Sequence, residues 1–173
     1  QDGFLFVAGS GTVSSINQVI TVNLPINIIS DTYLNRLCYQ YHYDKRNRLV
    51  EKKIPQKGWE FIVYDRLDRP VLTQDALLRE NDDWLFTKYD VFNRVAYTGI
   101  TTQTGTRESI QNDAINPSLD ISVTRKSTPN TMNGIDMYYT TNTYPTSNQE
   151  IHTINYYDDY SFDLDNITLP SSV

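Results

Sequence analysis

Across residues 37–44 large apolar side chains fall on every second position: Leu37, Tyr39, Tyr41 and Tyr43 against Cys38, Gln40, His42 and Asp44. Alternation with period two predicts a strand, here with one aromatic face. The strand runs into a polar corner, and an apolar stretch follows, Arg48-Leu49-Val50. The same sequence of events occurs twice more, with returns through Arg69-Pro70-Val71-Leu72 and Arg94-Val95-Ala96-Tyr97. The corners read Tyr43-Asp44-Lys45-Arg46-Asn47-Arg48, Tyr64-Asp65-Arg66-Leu67-Asp68-Arg69 and Tyr89-Asp90-Val91-Phe92-Asn93-Arg94, with tyrosines 21 and 25 residues apart. A period in the twenties predicts units that bury surface against their neighbours.

Each corner has the chemistry of a type I turn closed by a left-handed residue. The acid (Asp44, Asp65, Asp90) stands where such a turn takes a side-chain acceptor. Three residues on, the backbone turns left-handed, a position that favours glycine and then Asn or Asp; here it is Asn47, Asp68 and Asn93. The expected product is a three-residue hairpin loop with a bulge. Set side by side, such hairpins would bring Tyr43, Tyr64 and Tyr89 into an aromatic ladder near one rim. Arg48, Arg69 and Arg94 would form a parallel ladder bonded to aspartates or turn carbonyls of adjacent hairpins. The opposing expectation is a polar groove for an acidic ligand.

These corners resemble the YD repeat of RHS (rearrangement hotspot) proteins, Tyr-Asp-x-x-Gly-Arg-Leu, with the glycine replaced by Asn47, Asp68 and Asn93. Neighbouring text such as Glu51-Lys52-Lys53-Ile54-Pro55 is similar to the version in large Bacteroidota RHS proteins, and Asn155-Tyr156-Tyr157-Asp158 looks like a diverged fourth copy without its arginine. The resemblance covers residues 37–100. It implies an all-β fold in which consecutive antiparallel hairpins form a twisted sheet, part of a hollow β-shell that encloses or presents a variable, sometimes toxic, C-terminal segment. It also implies a secreted or cell-surface location. The implied partners are the remainder of a parent polypeptide and its enclosed segment, together with export machinery or another cell-surface protein. The family's self-cleaving aspartate site lies near Asp-Pro pairs, and the sequence has none.

The organisation expected is a β-rich segment over 1–36, repeat hairpins over 37–100, a polar insertion over 101–150, and a diverged repeat with a tail over 151–173. Strands are expected at 4–8 and 18–24, separated by the turn Gly9-Ser10-Gly11. The insertion is rich in Thr, Ser and Asn, which predicts mostly loop. Within it, residues 107–115 predict a short helix capped by Thr106 and ended before Asn116-Pro117, and 135–141 a strand. Alternation returns from Glu150 onward.

Composition narrows the chemistry. The chain has 173 residues and a net charge of −6, with basic residues interspersed among acids, which excludes a nucleic-acid footprint. One cysteine, Cys38, excludes an internal disulfide and predicts a quiet thiol within a strand. The longest apolar runs fall far short of the ~20 residues a bilayer requires, so no membrane insertion is expected. The first residue is Gln1, which points to excision from something longer, and strand edges opened by excision predict an isolated piece that self-associates. His42 and His152 are not in a zinc spacing, and neither a Walker loop nor a Gly-x-Ser-x-Gly elbow is present. No catalytic residue, metal or cofactor is expected, and the chain does not read as an enzyme. Trp59 and Trp84 stand at matching places five residues before Tyr64 and Tyr89. They are expected to pack, or alternatively to stack on the rings of a glycan or to meet a protein at the cell surface.

Overall fold

The computed structural model describes residues 31–157; the strands expected at 4–8 and 18–24 and the tail from Asp158 lie outside the described residues. The elements follow in the order α1 (Asp31–Leu37), β1 (Gln40–Tyr43), β2 (Leu49–Lys53), β3 (Glu60–Tyr64), β4 (Pro70–Gln74), α2 (Ala76–Arg79), β5 (Asp83–Tyr89), β6 (Val95–Thr102), α3 (Arg107–Ala114), β7 (Arg125–Met132), β8 (Ile135–Tyr139) and β9 (Gln149–Ile154). The protein is mostly antiparallel β-sheet. A seven-stranded sheet runs β1-β2-β3-β4-β5-β6-β9, a meander whose last neighbour is reached only after a long excursion, and β7-β8 make a separate two-stranded ribbon.

The three expected hairpins are β1-β2, β3-β4 and β5-β6. In each the register slips by one residue just before the tyrosine, at His42/Tyr43, Val63/Tyr64 and Lys88/Tyr89. The slip is the bulge expected of a left-handed corner residue, and Asn47, Asp68 and Asn93 have φ of 57°, 61° and 63°. Between hairpins, loop 54–59 joins the first to the second. One helical turn, α2, joins the second to the third, because the Asp75 carboxylate accepts from Leu77 N and Leu78 N as an N-cap.

One face of the sheet holds the core. Val63, Leu72 and Phe86 lie in one cross-strand row through the pairs Val63↔Leu72 and Leu72↔Phe86, and that row continues to Gly99 and Ile151. Gly99 is required here: a Cβ on it would lie 1.9 Å from the Glu150 carbonyl oxygen. Beside this row Trp84 and Tyr97 are buried, with the Phe86 and Tyr97 rings edge to face at 6.0 Å.

The cover over this face comes from the segment expected to be mostly loop. Ile110 and Ala114 lie four apart on one side of α3, and Met137 and Tyr139 lie two apart on β8; with Val123 they are buried against the sheet. Few apolar residues suffice when each falls on the helical or strand period of a short element. Helix α3 begins as expected, with the Thr106 hydroxyl accepting from Ser109 N, and Gln111 clasps the backbone of Tyr64, its Oε1 accepting from Tyr64 N and its Nε2 donating to Tyr64 O.

Helix α1 replaces part of the strand expected around Leu37. Asp31 in its first turn and Arg36 in its last suit the helix dipole, and Cys38 N donates to Leu34 O. Strand β1 therefore starts at Gln40, and half-buried Cys38 sits in the link between them, outside any strand. No side chain of α1 is buried; polar contacts hold it, with Gln56 N and Lys53 Nζ donating to Asn35. No helix among the described residues is long and apolar enough to cross a membrane.

Candidate functional site

The twelve corner residues singled out by the repeat are brought into one row along an end of the sheet, built three times from the same parts. In the first corner Asp44 Oδ1 accepts from Arg46 N and Arg48 N, and its Oδ2 from Arg48 Nε at 2.8 Å. Asp65 does the same for Leu67 N, Arg69 N and Arg69 Nε, and Asp90 for Phe92 N, Arg94 N and Arg94 Nε. The corner backbone is closed by Asp44 N donating to Arg48 O and Asn47 N to Asp44 O, and by the matching pairs at Asp65 and Asp90. A carboxylate receiving two backbone N–H groups and an arginine fixes turn and guanidinium together.

The arginine so aimed reaches across to the next hairpin. The Arg48 guanidinium lies over the Tyr64 ring at 4.7 Å and donates through Nη1 to Asp68 Oδ1 at 2.7 Å. Arg69 lies over Tyr89 at 4.7 Å and donates to Asn93 Oδ1 at 2.8 Å. Arg94 lies over Tyr157 at 4.3 Å. Each tyrosine hydroxyl returns a hydrogen bond to the carbonyl just after that arginine: Tyr64 to Leu49 O, Tyr89 to Pro70 O and Tyr157 to Val95 O, at 2.7, 2.9 and 3.0 Å. Tyr64 and Tyr89 thus stack under arginines, where the sequence suggested a ladder of rings. The strand register repeats too. The residue three after the arginine pairs with the residue three before the next tyrosine, as Glu51↔Phe61, Leu72↔Phe86 and Tyr97↔Ile154. Tyr157 is therefore the tyrosine of a fourth unit, in register although 46 residues separate β6 from β9.

Electrostatics follow from these bonds. Burial pushes the Asp44 and Asp90 carboxyls up, but hydrogen bonds from the arginine backbone and side chain, with its charge, outweigh it and hold both below the usual aspartate value. Burial pushes the hydroxyls of Tyr64 and Tyr89 up, which keeps them protonated as donors. The row is partly roofed by residues 119–123: Arg66 donates to Leu119 O, Arg69 to Ile121 O, and Val123 N to Tyr89 O.

The two tryptophans part company. Trp84 is in the core, 1 % exposed, where its ring offers no platform to a ligand. Trp59 precedes β3 and is half-buried, stacked on the His42 ring at 4.7 Å, with His42 Nδ1 paired to Glu51 Oε2 at 2.6 Å. The pair does not form a shared surface.

Sequence reasoning missed Lys88. It is 1 % exposed, its Nζ donates to Thr143 O at 2.5 Å and to Pro145 O, and the Phe86 and Tyr97 rings lie within 6 Å of it. Burial drives its pKa well below that of an ordinary lysine. The signal was present in the alternation Trp84, Phe86, Lys88, which puts the lysine on the core side. Among the described residues no group of three or more His, Cys, Asp or Glu side chains is placed to hold a metal ion. No protein family matches the chain, and no curated protein or solved structure does.

Proposed function

We propose that this chain is a structural stretch of a large secreted or cell-surface repeat protein of RHS type, one part of a β-wall that encloses or presents a C-terminal segment. The supporting observation is the hairpin junction itself. The arginine seat and the strand register recur at three successive boundaries, and the third closes even across the excursion between β6 and β9. A strip added to by one rule has no inherent end, and native strand twist curves it. The corner aspartates and arginines satisfy one another, which leaves that row without a free reacting group. The carbohydrate alternative loses its paired tryptophan platform, since Trp84 is core.

Electron microscopy of the parent polypeptide tests the reading. The expected image is a hollow β-walled particle with these seven strands in the wall and the segment after the repeats inside it, protected from protease. A parent without hairpins flanking this sheet, or one whose C-terminal segment is cleaved as fast as a free peptide, refutes it.

A further inference from the structure

The junction rule leaves one half-site on the surface. At the second, third and fourth units a tyrosine ring receives an arginine from the unit before. Where the next corner is described, its left-handed Asp68 or Asn93 also takes that arginine's outer nitrogen. In the first unit the equivalent groups are Tyr43 and Asn47. Tyr43 is 60 % exposed, and Asn47 is exposed, with no side-chain hydrogen bond among the described residues. Beside them β1 pairs only with β2 among the described strands, and Tyr39 and Tyr41 are exposed as well.

We infer that the β1 edge with Tyr43 and Asn47 is a docking site for one kind of partner, the return strand of another Tyr-Asp hairpin, beginning with arginine. This deepens the structural reading above and rests on it. The partner's arginine stacks on Tyr43 and donates to Asn47 Oδ1, the Tyr43 hydroxyl donates to the carbonyl after that arginine, and the partner residue three further on pairs with Gln40. Residues 1–30 contain neither arginine nor lysine, so that segment does not supply the cation. A second copy is a poor source, because Arg48, Arg69 and Arg94 already lie on Tyr64, Tyr89 and Tyr157. The occupant is therefore a hairpin of a further unit. Continuity with the three formed junctions and the match of guanidinium to ring and amide oxygen carry the assignment.

The test titrates the full chain with a backbone-cyclised peptide of residues 40–53, followed by backbone amide NMR and calorimetry. Binding should shift Gln40, Tyr43 and Asn47 and leave the β7-β8 ribbon unmoved. Arg48→Lys in the peptide, or Tyr43→Leu or Asn47→Gly in the chain, should each weaken it about tenfold or more, since a stacked and charge-assisted contact exceeds the ~1.4 kcal/mol that a decade represents. Both chain variants alter exposed side chains and should keep the parent melting curve, which separates lost docking from lost folding. No binding, binding indifferent to Arg48→Lys or Tyr43→Leu, or self-association of the chain in place of peptide capture overturns the assignment. Failure here with a hollow parent particle leaves the wall standing and removes only this seat. Capture without such a particle leaves a joining edge and removes the wall.

Discussion

Replacing Lys88 by methionine removes the one amine buried against Phe86 and Tyr97 and should change how stability responds to pH. Lysine in the unfolded chain binds its proton up to about pH 10.5, whereas burial lowers the folded value well below that. Between those limits the unfolded state holds the extra proton, so folding releases one and stability rises with pH. One full proton is worth about 1.4 kcal/mol per pH unit, which is the ceiling on the rise this residue gives over that window. Methionine fills a similar volume without a titrating group. It also strips a donor from Thr143 O and Pro145 O, although Gln149 Nε2 still donates to the latter. The variant's absolute stability therefore falls by the cost of an undonated buried carbonyl, about 1–3 kcal/mol, less the deprotonation cost it no longer bears. The assay is urea unfolding of both proteins at pH 8, 9 and 10, with tyrosine titration common to both and cancelling in the difference. Equal pH slopes in native and variant proteins would refute the buried neutral amine.

The corner aspartates should rank by exposure: Asp65→Ala and Asp90→Ala, with side chains 9 % and 8 % exposed, should cost about 2–4 kcal/mol in urea melts, and Asp44→Ala, 20 % exposed, clearly less. Because Asp44 and Asp90 have folded pKa values below the ordinary 3.8, their contribution is complete above that value and fades as pH falls through it, so acid melts should steepen below about pH 4 and flatten in the Asp90→Ala variant. At the left-handed corners Asn93→Gly should melt higher than Asn93→Ala, since both lose the oxygen that accepts from Arg69 and only alanine adds about 1–2 kcal/mol of left-handed strain. Gly99→Ala should part β6 from β9, since its Cβ would meet Glu150 O; amide exchange should accelerate at Ile151 and Thr153 while the β1-β2 hairpin stays protected.

The corners were the most legible part of the chain because their fold is dictated within six residues. An acid, a residue tolerant of positive φ and an arginine suffice, and Asn47, Asp68 and Asn93 adopt it alike. The Thr106 cap and the β8 strand were readable for the same reason. What escaped depended on distant partners. Trp59 and Trp84 hold equivalent places in the sequence, yet α3 and β8 cover only the middle of the sheet, and the tryptophan beneath them alone becomes core. Alternation puts Lys88 on the core side, but the carbonyls of Thr143 and Pro145 that receive its amine lie more than fifty residues away in sequence. Tyr157 looked like a remnant lacking its arginine, but the arginine it needs is Arg94, from the unit before.

Because β9 rejoins β6 in the common register, the stretch between Thr102 and Gln149 behaves as a cassette whose two ends are stapled into one sheet. Its contents are not free. Ile110, Val123, Met137 and Tyr139 are the lid on Phe86 and Tyr97, so a replacement must bring its own greasy footing or leave the sheet with a wet wound. The order of the strands is thus set by the corners and the register, and the dryness of the sheet by what is laid over it.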